Sequence, residues 1–377
     1  MRIIAFYQPQ FHSIPENDEW WGKGFTEWVN VKKAKPLFPG HQQPVIPLNE
    51  NYYNLLDSKT ISWQINLAKK YGIYGFCFYH YWFDGHMLLE KPMEIMRNDP
   101  DLNIPYCISW ANENWTNAWK ANGDVKTLIQ QTYGKRDEWE RHFNYLLQFF
   151  TDPNYMLEDN KPLFIIYRPE IIPCINDMLD CWDELARQHG FDGMSFAYQQ
   201  LSYHLIDGRD ESRFKYNIEY QPSYARYDVQ ANQDSQSARI KFRVKTNIRT
   251  LALNFDKVFG TNISSKLTKG KLQVEDYDTL CQQIVNRRPD SDKAIPGMFV
   301  GWDNTPRRGE KGRVCLGSTA EKFEKYMKKQ IANAKDNYHK DMIFMFAWNE
   351  WAEGGYLEPD SQHQYGYLQA IKNALSD

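Results

Sequence analysis

Eight short apolar runs punctuate the chain: Ile3–Tyr7, Ile73–Tyr79, Ile104–Trp110, Leu163–Tyr167, Met194–Tyr198, Tyr216–Tyr220, Gly297–Trp302 and Met342–Trp348. None of them alternates apolar with polar residues. A strand with one solvated face alternates at period two, so unbroken runs predict strands covered on both faces, as in a parallel sheet under helices. Helical patterns fill the intervals. Ile175, Met178, Leu179, Trp182, Leu185 and Ala186 recur at helical spacing and stop at Gly190. Ser318-Thr319-Ala320-Glu321 is a capping box opening a helix whose apolar face is Phe323, Tyr326, Met327, Ile331 and Ala334. A third pattern runs from Thr60 to Tyr71 and closes at Gly72. Eight strands alternating with helices predict an α/β fold, a (β/α)8 TIM barrel. A doubly wound sheet is the competing arrangement, but it wants a glycine-rich phosphate turn after the first strand. Gln8-Pro9-Gln10-Phe11-His12 occupies that position instead.

The whole chain, 1–377, reads as a single (β/α)8 domain with long loops on its C-terminal face and two departures from regular spacing. Residues 9–57 form a long, aromatic-rich first loop. Residues 223–294 read as an insertion before strand seven, with a polar stretch (228–237) followed by a Lys/Arg-rich one (239–249). A net charge of -3 provides no basic field for nucleic acid or anionic lipid, so neither is expected as a partner. No apolar stretch approaches the ~20 residues of a membrane span. The chain passes from Met1-Arg2 straight into a strand-like run with no secretion signal, and the expectation is a cytoplasmic protein. The six cysteines show neither CxxC nor metal spacing and read as reduced core residues. The histidines lack ligand spacing as well, so neither a metal nor a cofactor is expected.

In a barrel, the chemistry comes from the C-terminal ends of strands and the loops behind them. Those ends read as Tyr7, Gln8 and His12; His80 and Tyr81; Trp110, Asn112 and Glu113; Arg168 and Glu170; Gln199; Glu219 and Gln221; Trp302, Asp303 and Asn304; and Asn349, Glu350 and Glu353. Amides, carboxylates and aromatics dominate, with no Ser-His-Asp set and no HExxH. Aromatic residues make up 15% of the chain, and several stand in polar surroundings where a core residue is out of place. Trp21, Trp28, Trp110, Trp115 and Trp302 are therefore candidate platforms for sugar rings. The last strand runs into Trp348-Asn349-Glu350-Trp351-Ala352-Glu353-Gly354-Gly355, followed by Glu358-Pro359. If that segment turns helically, Glu350 and Glu353 share a face with Cβ atoms about 5–6 Å apart. Such a pair is compatible with retaining glycoside hydrolysis, where the carboxyls stand about 5–5.5 Å apart. Glu170 with Glu219 is a rival acid–nucleophile pair. Tyr7, Gln8, His80, Tyr81, Asn112, Glu113, Asn349 and Glu358 are candidates to bind sugar hydroxyls. Asp99-Pro100-Asp101 and Asp290-Ser291-Asp292 match the DxD pattern of nucleotide-sugar transferases, but each precedes a strand and so belongs to the opposite face.

Several long motifs resemble the WbsX-type proteins, a bacterial group related to glycoside hydrolase family 99. They are Phe6-Tyr7-Gln8-Pro9-Gln10-Phe11-His12, the segment from Trp21 to Trp28, the segment from Phe76 to Phe83, Trp110-Ala111-Asn112-Glu113-Asn114-Trp115 and the segment from Asn349 to Pro359. The resemblance runs nearly end to end and is weak only over about 228–290. It implies a retaining enzyme acting on α-mannoside or other bacterial polysaccharide, in which Glu350 takes the proton of the sugar's own 2-hydroxyl. That hydroxyl attacks the anomeric carbon to give a 1,2-anhydro sugar, with Glu353 as general acid and then base. Ala352 departs from the pattern, because hydrolytic members carry His there. Two alternatives stand beside hydrolysis: glycosyl transfer in lipopolysaccharide, O-antigen or capsule synthesis, and a non-catalytic barrel that only binds glycan.

Overall fold

Pro296 interrupts the seventh strand, and the two halves pair with different neighbours. The computed structural model describes residues 1–117, 126–201, 211–231 and 272–376. Its barrel strands are β1 (Arg2–Tyr7), β2 (Gly75–Phe83), β3 (Tyr106–Trp110), β4 (Leu163–Ile166), β5 (Ser195–Gln200), β6 (Phe214–Glu219), β7 in two halves (Ala294–Ile295 and Gly297–Phe299) and β8 (Met342–Phe346). The first half of β7 pairs in parallel with β6 at Asn217 and Ile218; the second half pairs with β8 from Phe344 to Phe346. With β1 between β2 and β8, the parallel order returns to β7 and the sheet closes. A side chain at Gly297 would place its Cβ 2.0 Å from the carbonyl oxygen of Glu219, so only glycine fits where β7 changes partner. The eight-stranded barrel expected from the apolar runs is the observed fold.

Helices cover the outside. Ile175–Gln188 buries the predicted stripe of Ile175, Met178, Leu179, Trp182, Leu185 and Ala186. Ala320–Asp336 is capped by Thr319, whose side chain accepts the Lys322 N–H at 3.3 Å. Ser58–Lys70 ends before Gly72, which takes φ +85°. The later part of 223–294 contributes to the barrel: the helix Tyr277–Asn286 buries Tyr277, Leu280, Cys281, Ile284 and Val285, and Ala294 begins β7. The basic stretch 239–249, and the polar stretch beyond residue 231, lie outside the described residues.

The pleat decides which strand residues reach the barrel interior, since neighbours on a strand face opposite sides. Phe6 points inward, its ring 5.5 Å from that of Tyr220 and 5.6 Å from that of Phe344. Tyr7 points outward, where its hydroxyl donates to Gln64 on the helix Ser58–Lys70 at 2.6 Å. On β2, Tyr79 faces in, its hydroxyl 3.3 Å from that of Tyr220. His80 and Trp82 face out, against the helix Arg136–Phe150. There the His80 and His142 Nε2 atoms lie 2.9 Å apart, and the Trp82 ring stacks on His142 at 4.4 Å.

Candidate active site

A cleft of about 240 Å³ opens at the C-terminal mouth of the barrel. It is lined by Gln8, Tyr79, Tyr81, Glu113, Trp115, Tyr167, Tyr220, Arg307, Glu350 and Glu353, together with Ala111, Asn114 and Thr116. Tyr79 and Tyr81 lie in the second half of β2 and the others follow a barrel strand, except Arg307, which sits on the short helix Thr305–Arg308 beyond β7.

Glu350 and Glu353 reach the cleft by a tight turn. Asn349–Glu350 forms a short antiparallel pair with Gly355–Tyr356, and Trp351–Glu353 is a single 3-10 turn between them. The Gly-Gly pair makes the reversal possible. Gly354 adopts φ +64°, and a Cβ there would lie 2.6 Å from the backbone nitrogen of Asp303; a Cβ on Gly355 would lie 2.1 Å from the Phe346 ring. The acids' turn is thus packed directly on the loop that carries Arg307. Asp303 shapes that loop, accepting from Thr305 Oγ1 at 2.6 Å and from Gln43 Nε2 at 2.6 Å, with His41 Nε2 at 2.8 Å.

Arg307 joins the acids. Its Nη1 donates to Glu353 Oε1 at 2.6 Å and its Nη2 reaches Glu350 Oε2 at 3.4 Å. Its Nε donates to Glu27 Oε2 at 3.0 Å, so one guanidinium serves three carboxyls. Glu350 is buried, and loss of water favours its neutral form strongly enough to push its pKa up to about 8. Arg307 opposes that rise, while Glu353 and Glu27 add to it. At neutral pH burial therefore holds Glu350 mostly in its neutral form. Tyr79, Tyr81 and Tyr220 crowd the same space as neutral phenols, their ionisation suppressed first by burial and further by the nearby carboxylates.

Among the sequence-derived candidates, Gln8, Tyr81, Glu113, Glu350 and Glu353 meet at the cleft, as does Trp115, whose ring stands edge-on to Tyr81 at 5.0 Å. Tyr81 donates to Gln8 Oε1 at 3.3 Å, and Glu113 is paired with Arg168. The others lie elsewhere. Tyr7 and His80 face the helical layer, as does Trp110, whose ring packs on His142 and Trp182. Asn112 exchanges two 2.8 Å hydrogen bonds with the backbone of Arg168, and Asn349 does the same with Gln8 at 2.7 and 3.0 Å. Trp28 donates to the carbonyl of Tyr53 at 2.8 Å. Trp21 packs on Phe25, and Trp302 lies between Phe346 and the Arg226 guanidinium. Glu358 is buried with Tyr53, Gln64 and Trp351 donating to its two oxygens, and burial pushes its pKa up to about 7. Neither member of the rival pair lines the cleft: Glu170 binds Arg168, and Glu219 binds Arg287 and Tyr338. Ala352 is buried in the turn. Arg307 and Glu27 were absent from the candidates, although Arg307 lies only three residues past Asn304.

The strand order defines a (β/α)8 barrel with a carboxylate-bearing cleft at its C-terminal mouth, and solved structures share the architecture. The endo-α-mannosidase of family 99 from Bacteroides thetaiotaomicron superposes with a TM-score of 0.52 at 13% identity, covering 100% of this chain and 96% of the other. A glycoside hydrolase-like protein gives 0.54 at 15% identity, over 99% and 93% of the two chains. The chain belongs to the glycosyltransferase WbsX family, whose sequence model matches residues 3–371. It is 34% identical over 380 residues to the uncharacterized protein WxcX of Xanthomonas campestris pv. campestris, covering 99% of this chain. The match spans 49% of WxcX, so the chain accounts for about half the length of the curated relatives it matches. Among the described residues, no helix is long and apolar enough to cross a membrane.

Proposed function

We propose that this chain is a carbohydrate-active enzyme that cleaves α-mannoside or related bacterial polysaccharide linkages with retention. Family membership and the barrel support a glycan-processing enzyme. The observation that carries the finer reading is the placement of Glu350 and Glu353 in one cleft, on the two terminal nitrogens of Arg307. In the reaction, the ionised Glu350 takes the proton of the sugar 2-hydroxyl. The freed oxygen bonds to the anomeric carbon as the glycosidic C–O bond breaks, and Glu353 gives its proton to the departing oxygen. Water then gives a proton to Glu353, its oxygen opens the 1,2-anhydro ring at the anomeric carbon, and O2 recovers its proton from Glu350. An internal nucleophile beside the reacting carbon has a high effective molarity, so a positioned base suffices.

Burial keeps Glu350 neutral, the opposite of the form the first step needs. A bound glycan corrects this: a 2-hydroxyl donating to Glu350 favours its charged form, and a glycosidic oxygen accepting from Glu353 favours its neutral form. Gln8, Tyr81 and Glu113 bind sugar hydroxyls in this reading, and Trp115 offers a ring face.

The family's description as glycosyltransferase favours a second reading, transfer to a sugar hydroxyl in lipopolysaccharide, O-antigen or capsule assembly using the same two acids. The test is incubation with α-mannan oligosaccharides and, separately, with nucleotide-sugar donors, for the wild type, Glu350→Gln and Glu353→Gln. New reducing ends that vanish in both variants support hydrolysis. Product that requires a nucleotide-sugar donor overturns it in favour of transfer. Binding without turnover in the wild type leaves only a glycan-binding barrel.

A further inference from the structure

Only two of the three carboxyls on Arg307 reach the cleft. The third, Glu27, has a side chain 1% exposed and lies outside the lining. It accepts the Arg307 Nε–H at 3.0 Å and is steadied by Asn30 Nδ2 at 3.3 Å. A carboxylate on Nε fixes the plane of the guanidinium and leaves Nη1 and the outer N–H of Nη2 for partners on the other side. Those two nitrogens are the ones on Glu350 and Glu353. Glu27 is in turn anchored to the same turn that carries the acids. Its N–H donates to the Gln10 carbonyl at 3.0 Å, and the ring of its neighbour Trp28 lies 5.5 Å from that of Trp351, between the two acids in sequence.

We propose that Glu27 is a positioning residue that, by holding Arg307, sets how readily Glu350 ionises; the proposal rests on the catalytic reading of Glu350 and Glu353. Glu27 acts with two opposite signs. Its charge opposes ionisation of Glu350 directly, as any third carboxylate in a dry site must. Its hydrogen bond holds the cation that favours ionisation. The other titratable groups facing the pair are Glu113, Tyr79, Tyr81, Tyr167 and Tyr220, and all remain in place when Glu27 alone is changed.

The two effects separate in two variants. Glu27→Gln still offers an oxygen to the Arg307 Nε but removes the charge, so the titration step of Glu350 moves to lower pH, by about one pH unit. Glu27→Asp keeps the charge but draws the carboxylate back by one methylene. Arg307 follows it away from the cleft, and the same step moves to higher pH. The measurement is an NMR titration of the full chain labelled with carbon-13 at the glutamate carboxyls, with resonances assigned through Glu350→Gln and Glu353→Gln. Shifts of opposite sign support the proposal. A step that stays put in both variants, or moves the same way in both, overturns it. If Glu27→Gln does not fold, Glu27→Asp decides alone: a rise supports the proposal and an unmoved step sinks it. The titration needs no substrate, so failure to turn over any glycan would remove the catalytic reading and leave the titration to judge Glu27 by itself.

Discussion

Asn349 and Gln8 pair like two residues of a sheet, the Gln8 N–H donating to Asn349 Oδ1 at 2.7 Å and Asn349 Nδ2 donating to the Gln8 carbonyl at 3.0 Å. The side-chain amide continues the parallel pairing of the first and last strands past the point where their backbones part. It thereby sets where Glu350, the next residue, enters the cleft. Asn112 makes the same clamp on Arg168 between β3 and β4. Replacing Asn349 by Ala strands a buried N–H and a buried carbonyl, at a cost of roughly 1–3 kcal/mol. Urea denaturation measures that loss. Asn349→Asp keeps the acceptor but buries a carboxylate against the Gln8 carbonyl, and costs at least as much as Ala at neutral pH.

Arg307 is the cation that makes the acid cluster tolerable. Arg307→Ala leaves buried carboxyls uncompensated, with a loss of about 3–5 kcal/mol expected when they are ionised. Protonation relieves that strain, so the penalty is largest at pH 8 and shrinks toward pH 5. Chemical denaturation at the two values checks it; a penalty independent of pH would contradict the charge argument. Arg307→Lys retains the charge but cannot reach three carboxyls from one ammonium, and falls between the two.

The pH dependence of stability follows from the buried groups. Glu350 at about 8, with Glu358 and Glu219 at about 7, lie above the ordinary carboxylate value of 4.5 because burial disfavours their charge. The folded protein therefore holds protons that the unfolded chain has released, and this stability is lost as pH rises from about 4.5 to about 8. His80 at about 3 and His12 at about 4 are lowered from 6.5, again by burial. Here the unfolded chain binds the extra protons, so stability falls as pH drops from about 6.5 to about 3. Between about 4.5 and 6.5 the two sets oppose each other. Unfolding at pH 7 in weakly buffered solution should release protons; uptake there would contradict the assignment.

Gly354 tests the contact between the two loops. Ala at that position must take φ +64° and press its Cβ against the Asp303 backbone nitrogen, 2.6 Å away. Overpacking of this kind costs roughly 1–3 kcal/mol. Because Asp303 orders the loop bearing Arg307, turnover in Gly354→Ala should fall further than the loss of folded protein accounts for. Thermal unfolding and initial rates on the same preparation separate the two effects.

The apolar runs identified all eight barrel strands, and the helical stripes identified three of the covering helices, because burial on both faces leaves a signature that needs only neighbouring residues. The strand-end position of Glu350 and Glu353, and their proximity to aromatic residues, were legible for the same reason. The side on which each strand-end residue points was not. A run buried on both faces has no alternation, so nothing in it distinguishes Tyr7 from Gln8 or His80 from Tyr81. The pleat directs one of each pair to the helices and the other to the cleft, and its phase is set by register with neighbouring strands far away in sequence. Arg307 and Glu27, separated in sequence from the acids and from each other, become partners only when the loops after β1, β7 and β8 converge. Local pattern by itself determined the barrel and the candidate acids. Which groups surround those acids, and how strongly burial keeps Glu350 neutral, was decided by tertiary packing, because burial and charge are properties of the assembled site and not of any segment within it.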